Sequence, residues 1–423
     1  MDIFIKITLL ISYIGIIYYS IWVAILVCGS IKESHIKVDN LNIPKDIKLF
    51  ILMPMLNEAG VVNSTLSQFL KNTAKLSQVQ LGVIDDGSID GTGKLIQEFI
   101  TSHHCSNKIH LIRRISPNAQ TGKGDALNYG LNFIRKHFDY NMNHVIVGVL
   151  DADAIMHQND FQKVLIEFAE NPELALLQIK VRMTQTNNWL QKMQDVEFAT
   201  LNDWIQRIRN HIHNAAASGN GQFIRMTAIK NNPKPWGNAL LEDFEFSTKF
   251  LLSGKKTLYS SDIIVYQEAV NKISPFIRQR SRWVQGGLDC IGKYIKEILM
   301  SHELNFWAKF EMVFFMLLPS ITLFVGLSNL FALIFSLFHF KIFIYLFIFL
   351  IGINLLLAFY MGSKYCEDPT KVRFVTVLDC VGMVIYNIIL FPAILIAFYR
   401  KFTGKHKWIK TSHGQDKSNI AKS

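Results

Sequence analysis

The sequence predicts an α/β domain, built on a mostly parallel and doubly wound sheet, that is flanked by transmembrane α-helices. Half of the 423 residues are hydrophobic, but the long apolar runs are confined to 1–30 and to about 306–399. Between these regions, short apolar runs end in polar loops and alternate with helical patterns, as in repeated βα units. A chain of this length is expected to hold two or three structural units.

Residues 1–30 are predicted to form an N-terminal transmembrane helix. The segment 3–28 is nearly all apolar and is long enough for a hydrocarbon core of roughly 30 Å. A signal peptide is the alternative, but this apolar run is too long for one and no small-residue cleavage site follows it. Because lysines come directly afterwards, the positive-inside rule places the next domain in the cytosol. These lysines are Lys32, Lys37, Lys45 and Lys48.

The region 47–270 is predicted to be the cytosolic α/β domain. Residues 49–58 and 79–92 are patterned as strands that run into polar loops, and helical patterns follow them. Because ligands of open α/β sheets bind at the carboxyl ends of the strands, we expect the polar loop residues to form one site. Further elements are predicted at 110–113, 122–131, 161–170, 174–183, 189–213, 215–226 and 240–252.

The segment 144–153 ends in two carboxylates, Asp151 and Asp153. Its uninterrupted apolar run predicts a strand that is covered on both faces. Residues two apart on a strand share a face, so the two side chains can act together where the strand opens into a loop. Paired carboxylates suit Mg²⁺ or Mn²⁺ bound together with a phosphate. The alternative is an ordinary strand-to-turn boundary, where Asp is common.

Residues 271–305 are predicted to form amphipathic helices at the membrane interface, and they carry the sequence Q-R-S-R-W at 279–283. Gln279, Arg282 and Trp283 are spaced i, i+3 and i+4, so on a helix they share one face. The alternative for this group is an interfacial tryptophan beside an arginine that extends toward the headgroups.

The region 306–399 is predicted to hold about three spans, and 400–423 is a basic tail. The run 306–338 is longer than one span needs and contains Pro319, so it is either an interfacial helix followed by a span or one kinked span. The positive-inside rule places the tail in the cytosol, whereas three crossings would place it outside. The conflict disappears if 306–338 crosses twice or if one later segment does not cross.

The formal net charge is +11, and the basic residues cluster near the apolar segments and in the tail. This distribution favours anionic membrane lipids as partners. No basic stripe interleaved with aromatic residues occurs, so no nucleic-acid partner is expected. The five cysteines are scattered and odd in number, which is typical of reduced residues in a core or a membrane.

Six short motifs occur in one order along the chain. With them, the chain resembles the membrane-embedded family-2 glycosyltransferases with a GT-A fold, and in particular the processive synthases of poly-N-acetylglucosamine, chitin, hyaluronan and cellulose. The resemblance covers about residues 47–300, and W-I-K-T at 408–411 is loosely similar to a motif near the end of hyaluronan synthases. The motifs are P-x-x-N-E at 54–58, D-D-G-S-x-D-x-T at 85–92, G-K-x-x-A-L-N at 122–128, D-x-D at 151–153, E-D at 242–243 and Q-x-x-R-W at 279–283.

The resemblance implies an inverting hexosyltransferase that moves a sugar from a UDP-sugar to a growing polysaccharide. Processive β-linked synthesis of an exopolysaccharide, with export through its own spans, is the favoured interpretation. The alternatives are a single transfer to a lipid or polyprenyl-phosphate acceptor, and a transporter or scaffold with an inactive catalytic domain. The expected location is a bacterial plasma membrane, which the chain crosses several times.

Two departures from the cellulose pattern leave the sugar and acceptor open, with UDP-GlcNAc favoured over UDP-Glc. Leu241 precedes the E-D pair, where cellulose-type enzymes commonly have Thr, and the segment 218–223 reads S-G-N-G-Q-F.

The resemblance also implies roles for particular residues. Asp243 is the expected catalytic base, with a helix-terminal acid as the alternative role and a structural role for Glu242. Asp153 is the expected ligand of Mg²⁺ or Mn²⁺. Gln279, Arg282 and Trp283 are expected at the acceptor and diphosphate, since Arg282 can donate two hydrogen bonds to phosphate and Trp283 can stack on a sugar. The residues expected to bind the nucleotide sugar are Pro54, Asn57, Glu58, Asp85, Asp86, Lys123 and Asp151.

Overall fold

The computed structural model describes residues 2–31, 46–138, 141–184, 186–366 and 375–404. Lys32, Lys37 and Lys45, together with most of the basic tail and its motif at 408–411, lie outside the described residues.

Eight strands form one mixed sheet in which four of the seven neighbouring pairs are parallel. The strands are β1 (Lys48–Met55), β2 (Val79–Asp85), β3 (Ile109–Arg113), β4 (Val145–Val149), β5 (Ile155–Met156), β6 (Leu174–Met183), β7 (Gln222–Arg225) and β8 (Lys256–Gln267). Their order across the sheet is β3-β2-β1-β4-β7-β6-β8-β5. The strands β3, β2, β1 and β4 are parallel to one another, so β1, β2 and β4 end at the same edge of the sheet, as predicted from the sequence.

The helices before the membrane region are α1 (Asp2–Gly29), α2 (Val62–Thr73), α3 (Thr92–Ser102), α4 (Lys123–His137), α5 (Gln158–Glu170), α6 (Trp189–Glu197), α7 (Asp203–His211), α8 (Glu242–Leu252) and α9 (Ile273–Met300). They are followed by α10 (Phe306–Cys366) and α11 (Val375–Phe402), and short 3₁₀ helices occur at Met142–His144 and Met226–Ile229. The prediction of one continuous helix over 189–213 is wrong. A π-helical turn, Phe198–Asn202, separates α6 from α7.

The sheet is covered by helices on both faces, which confirms the α/β class. Alternate residues of β1 enter two different apolar clusters: Leu49 and Ile51 pack with α2, α3 and α5, whereas Phe50 and Leu52 pack with α4 and α8. A strand that is buried on both faces has no polar alternation, which explains the continuous apolar runs in the sequence.

In the described part of the chain, four segments are long and apolar enough to cross a membrane: Ile3–Gly29, Phe306–Leu337, Ile344–Cys366 and Gly382–Phe402. The neighbours Tyr18 and Tyr19 of α1 contact Phe314 and Asn354 of α10. In a straight helix Phe314 and Asn354 would lie roughly 60 Å apart, too far for both to contact neighbouring residues of α1. The chain therefore reverses direction between the second and third apolar segments, and these two segments pack antiparallel beside α1.

The last apolar segment lies beside the amphipathic helix α9. Near its start, the Tyr386 hydroxyl accepts a hydrogen bond from Arg280 of α9 at 3.1 Å. Near its end, Lys401 Nζ is 2.8 Å from Oδ1 of Asp289, also in α9. Since both pairs advance in the same direction along the chain, α11 runs parallel to α9.

A buried ion pair joins the sheet to the membrane helices. The Arg182 guanidinium in β6 donates two hydrogen bonds of 3.0 Å to Asp195 in α6, and both side chains are almost fully buried. The Tyr365 hydroxyl, near the end of α10, donates to the same carboxylate at 2.6 Å. A charge in this position is stable only while its partner is present.

Replacement of Asp195 with Ala should therefore destabilise the protein by about 3–5 kcal/mol, because it removes the carboxylate that neutralises the buried Arg182. The measurement is thermal unfolding of the detergent-purified protein. Glu173→Ala is the matched control, since the Glu173–Lys256 pair is about half exposed and its loss should leave the unfolding midpoint nearly unchanged. Equal unfolding midpoints for the two variants would contradict this assignment.

Candidate active site

A cavity of about 1860 Å³ lies between the carboxyl edge of the sheet, α9 and the membrane helices. Ten of the twelve residues predicted for the site line it. These are Pro54, Glu58, Asp86, Lys123, Asp151, Asp153, Asp243, Gln279, Arg282 and Trp283. The remaining two, Asn57 and Asp85, do not line it.

Asn57 and Asp85 brace the two loops that follow β1 and β2. The Asn57 side chain accepts a hydrogen bond of 2.9 Å from the backbone N–H of Ile89, and the backbone N–H of Asn57 donates to Ser88 Oγ at 2.9 Å. Asp85 Oδ1 accepts from the N–H of Ser88 at 3.0 Å. These contacts shape the loops that present Glu58 and Asp86 to the cavity.

Asp86 is oriented by an arginine that sequence reasoning missed. Its Oδ1 atom accepts a hydrogen bond from the Arg114 guanidinium and another, of 3.0 Å, from the N–H of Gln120. Burial raises the pKa of Asp86 above its usual range, although both hydrogen bonds act in the opposite direction. Arg114 lies just after β3 and has no motif around it, so no signal in the sequence singled it out.

Asp151 and Asp153 lie in the turn between β4 and β5, because β4 ends at Val149. Strand periodicity therefore does not place them on one face, contrary to the argument from the sequence. The turn brings both to the cavity instead. Asp153 Oδ2 accepts a hydrogen bond of 2.7 Å from the N–H of Glu268, which holds the carboxylate in place.

Lys123 stands among three carboxylates at the centre of the site. Its Nζ atom lies 2.7 Å from Asp151 Oδ1 and 3.6 Å from Glu242 Oε1, and Asp243 is the third acid of the group. Burial alone would lower the pKa of Lys123, but the surrounding negative charges raise it above its usual value. Glu242, predicted to be structural, thus contacts the same lysine and lines the cavity.

Asp243 lies in the first turn of α8, and its Oδ1 accepts a hydrogen bond of 2.8 Å from the N–H of Phe244. Burial and the neighbouring Glu242 charge raise the pKa of Asp243 to about 7, whereas Lys123 acts to lower it. Gly219 passes close by with φ 85°, and a Cβ there would lie 3.1 Å from Asp243 Oδ2. A carboxyl group that titrates near neutral pH suits a general base.

Helix α9 supplies the opposite wall of the cavity through Gln279, Arg282 and Trp283. Burial lowers the pKa of Arg282, although the charges of Glu242 and Asp151 oppose this shift. The Trp283 ring meets Phe198 edge-on, with 6.5 Å between ring centroids, and the Arg280 guanidinium lies 4.6 Å from its centre.

A second buried ion pair holds α9 against α6. Arg280 donates two hydrogen bonds of 2.7 Å to the carboxylate of Glu197, and the Tyr386 hydroxyl donates a third of 2.5 Å. Sequence reasoning missed all three residues. Only Arg280, which lies inside Q-R-S-R-W, had a signal that could have revealed it.

The acidic residues of the site can be tested against a divalent cation. No group of three or more His, Cys, Asp or Glu side chains in the described residues is arranged to hold a metal on its own. Mg²⁺, however, is usually bound by one or two carboxylates together with water and substrate phosphates. Asp151 and Asp153, which both line the cavity, fit a cation of this shared kind.

Comparison with known proteins identifies the family. Residues 146–360, just over half of the chain, match the model for "Glycosyl transferase family group 2", and residues 50–232 match "Glycosyl transferase family 2". The chain belongs to the family 2 glycosyltransferases. The expected family and GT-A fold class are therefore confirmed.

Relatives of this glycosyltransferase include poly-β-1,6-N-acetyl-D-glucosamine synthases. The Staphylococcus epidermidis protein is 25% identical over 259 residues, which cover 61% of this chain and 57% of the relative. The Staphylococcus aureus MSSA476 protein is 26% identical over 259 residues, with 61% and 58% covered. The match thus spans less than two thirds of these relatives.

A solved structure agrees over nearly the whole fold. It is the mannosyltransferase PcManGT from Pyrobaculum calidifontis in complex with GDP-Man and Mn²⁺. The TM-score is 0.62 at 12% identity, and the superposition covers 95% of this chain and 99% of that one.

Replacement of Lys123 with Met should make stability depend more steeply on pH. Without the lysine, the pKa of Asp243 rises further above its unfolded value, so stability is lost as the pH increases. We expect the unfolding midpoint to lie several degrees below wild type at pH 8 and much closer to it at pH 5. Lys94→Met, which removes an exposed pair with Glu98, is the control. Parallel pH profiles for both variants and wild type would refute the electrostatic role of Lys123.

Proposed function

We propose that this protein is an inverting glycosyltransferase that moves a sugar from a UDP-sugar to a growing polysaccharide. The observation that carries the proposal is the position of Asp243, whose pKa is raised to about 7, in the cavity that also contains Asp86, Asp153 and Arg282. Transfer from a nucleotide sugar requires a general base that is ionised near neutral pH, acidic groups for the nucleotide and its cation, and a cation for the leaving phosphate. Asp243, the acids at the strand ends and Arg282 on the opposite wall supply these groups.

In the proposed reaction, the ionised Asp243 accepts the proton of the acceptor hydroxyl as that oxygen attacks the anomeric carbon of the sugar. The bond from this carbon to the diphosphate breaks, and nucleoside diphosphate leaves with inversion. Arg282 donates hydrogen bonds to the departing phosphate oxygens. When bound by Asp153 beside Asp151, a divalent cation offsets negative charge on the diphosphate.

Roles for the remaining residues are proposed from their positions. Asp86 and Glu58, beside Pro54, bind the nucleoside, while Asn57 and Asp85 hold the loops that carry them. Lys123, which is paired with Asp151 in the structure, exchanges this partner for the diphosphate when the donor binds. Gln279 and Trp283 contact the acceptor.

We propose UDP-GlcNAc as the donor, Mg²⁺ or Mn²⁺ as the cation and the cytosolic face of a bacterial plasma membrane as the location. The relatives make poly-β-1,6-N-acetyl-D-glucosamine according to their names, which supports this donor and a polymeric product. The Mn²⁺ complex of the mannosyltransferase with the same fold is in line with use of a divalent cation.

A single transfer to a lipid-linked acceptor is the second candidate. The cavity continues between α1, α10 and α11, and no charged side chain from these described helices lines it. A mostly apolar lining of this kind suits a hydrocarbon chain at least as well as a polysaccharide in transit. A transporter or scaffold with an inactive catalytic domain would need neither Asp243 nor Arg282 in the cavity.

The test is UDP release by purified full-length protein in detergent, with a panel of UDP-sugars and Mg²⁺ or Mn²⁺. We expect release with UDP-GlcNAc and its loss when the cation is removed with EDTA. Product length on a gel separates the two enzyme functions, since a polymer supports the first and one labelled lipid species supports the second. If no UDP-sugar is consumed under any condition, the chain is not this enzyme.

The activity should follow the ionisation of Asp243. Because the base must be deprotonated and its pKa is raised to about 7, kcat/KM should rise about tenfold per pH unit below 7 and level off above it. On the plateau above pH 7, Asp243→Asn should lower kcat/KM by about 10²–10⁴-fold, and it should remove this pH dependence.

Asp125→Asn is the control for that measurement, because Asp125 also lies in the first turn of a helix but does not line the cavity. If Asp243 only stabilised the helix dipole, Asp243→Asn and Asp125→Asn would retain similar activity.

A further inference from the structure

The π-helical turn Phe198–Asn202 joins α6 to α7 at the wall of the cavity. Such turns insert one extra residue into a helix, are rare and occur often at functional sites. The extra residue changes the direction in which the following side chains point. The turn therefore has a structural cost that its surroundings must offset.

Buried carboxylates fix the turn at both ends. On one side, Glu197 is bound by Arg280 and Tyr386, as described above. On the other, Asp203 accepts hydrogen bonds from Arg207 at 2.7 Å and from the Tyr259 hydroxyl at 2.6 Å, and its side chain is 1% exposed. Side chains between two such anchors are held in one orientation before any ligand binds.

The turn presents Phe198 and Asn202 to the same cavity as Trp283. These two residues are four apart, so they lie on one side of the helical segment. Phe198 packs edge-on against Trp283. The Asn202 carboxamide is half-buried, and across the described residues it has no side-chain hydrogen-bond partner.

Two arginines beside this surface, Arg280 and Arg209, are neutralised within the protein, and the neighbouring Arg282 is the one assigned above to the diphosphate. Arg280, which lies over the Trp283 ring, is bonded to Glu197 through both terminal guanidinium nitrogens. Arg209, which also lines the cavity, is paired with Glu311 at 2.9 Å. Aromatic rings with a neutral amide suit the apolar face and hydroxyl groups of a sugar ring, whereas a phosphate requires an available positive charge.

We infer that Phe198 and Asn202 form the subsite for the terminal sugar of the acceptor, opposite Trp283. Asn202 exchanges hydrogen bonds with the sugar hydroxyls, and Phe198 holds the Trp283 ring against the apolar face of the sugar. This inference rests on the proposed function and narrows it, because the acceptor is then a sugar and not a bare lipid phosphate.

The test measures transfer to short GlcNAc oligomers by full-length protein in detergent, with UDP release in the absence of acceptor as a second measurement. Asn202→Ala and Phe198→Leu should raise the KM for the oligomer by about threefold to tenfold, as expected for loss of one neutral hydrogen bond or one aromatic contact. The KM for the donor and the acceptor-free hydrolysis should stay within about twofold of wild type. If the two residues had only a structural role, the variants would lose transfer to the oligomer and acceptor-free UDP release together.

Asn63→Ala, an exposed asparagine in α2, is the control for replacing a helical asparagine. If Asn202→Ala fails to fold, Asn202→Asp keeps the shape, removes the amide donors and carries the same expectation. An unchanged acceptor KM in active variants would overturn the subsite, and so would preferred transfer to polyprenyl phosphate. Failure of wild-type protein to release UDP would instead overturn the proposed function.

Discussion

The ion pair between Glu197 of α6 and Arg280 of α9 determines how the two halves of the cavity face each other. Removing two charges from water is expensive, so such a pair persists only when its hydrogen bonds are nearly all made. Arg280 supplies two bonds to Glu197 and the Tyr386 hydroxyl supplies a third. Because α9 also carries Arg282 and Trp283, this pair sets their distance from the carboxyl edge of the sheet.

On the side of the cavity formed by the sheet and α8, several negative charges lie close together. Asp151, Glu242 and Asp243 surround Lys123, and the charge of Glu242 adds to burial in raising the pKa of Asp243. A site of this kind is destabilising in the free protein, and such sites are expected where binding or catalysis requires them.

Much of the site could be predicted because its motifs lie at strand ends. The carboxyl ends of β1, β2 and β4 meet at one edge whatever the details of packing, so Glu58, Asp86 and Asp153 were expected to converge. The motifs could not separate residues that face the cavity from those that shape the loops. Asn57 directly precedes Glu58, yet its carboxamide bonds a neighbouring loop instead.

The sequence by itself determined the features that depend on neighbouring residues: the buried strands, the amphipathic α9, the apolar spans and the family motifs. Only the tertiary structure decided the π-helical turn, the reversal within α10 and the partners of the buried charges. Glu197 lies 83 residues from Arg280 and 189 from Tyr386. Contacts at such separations depend on how whole elements dock, and local periodicity contains no information about that docking.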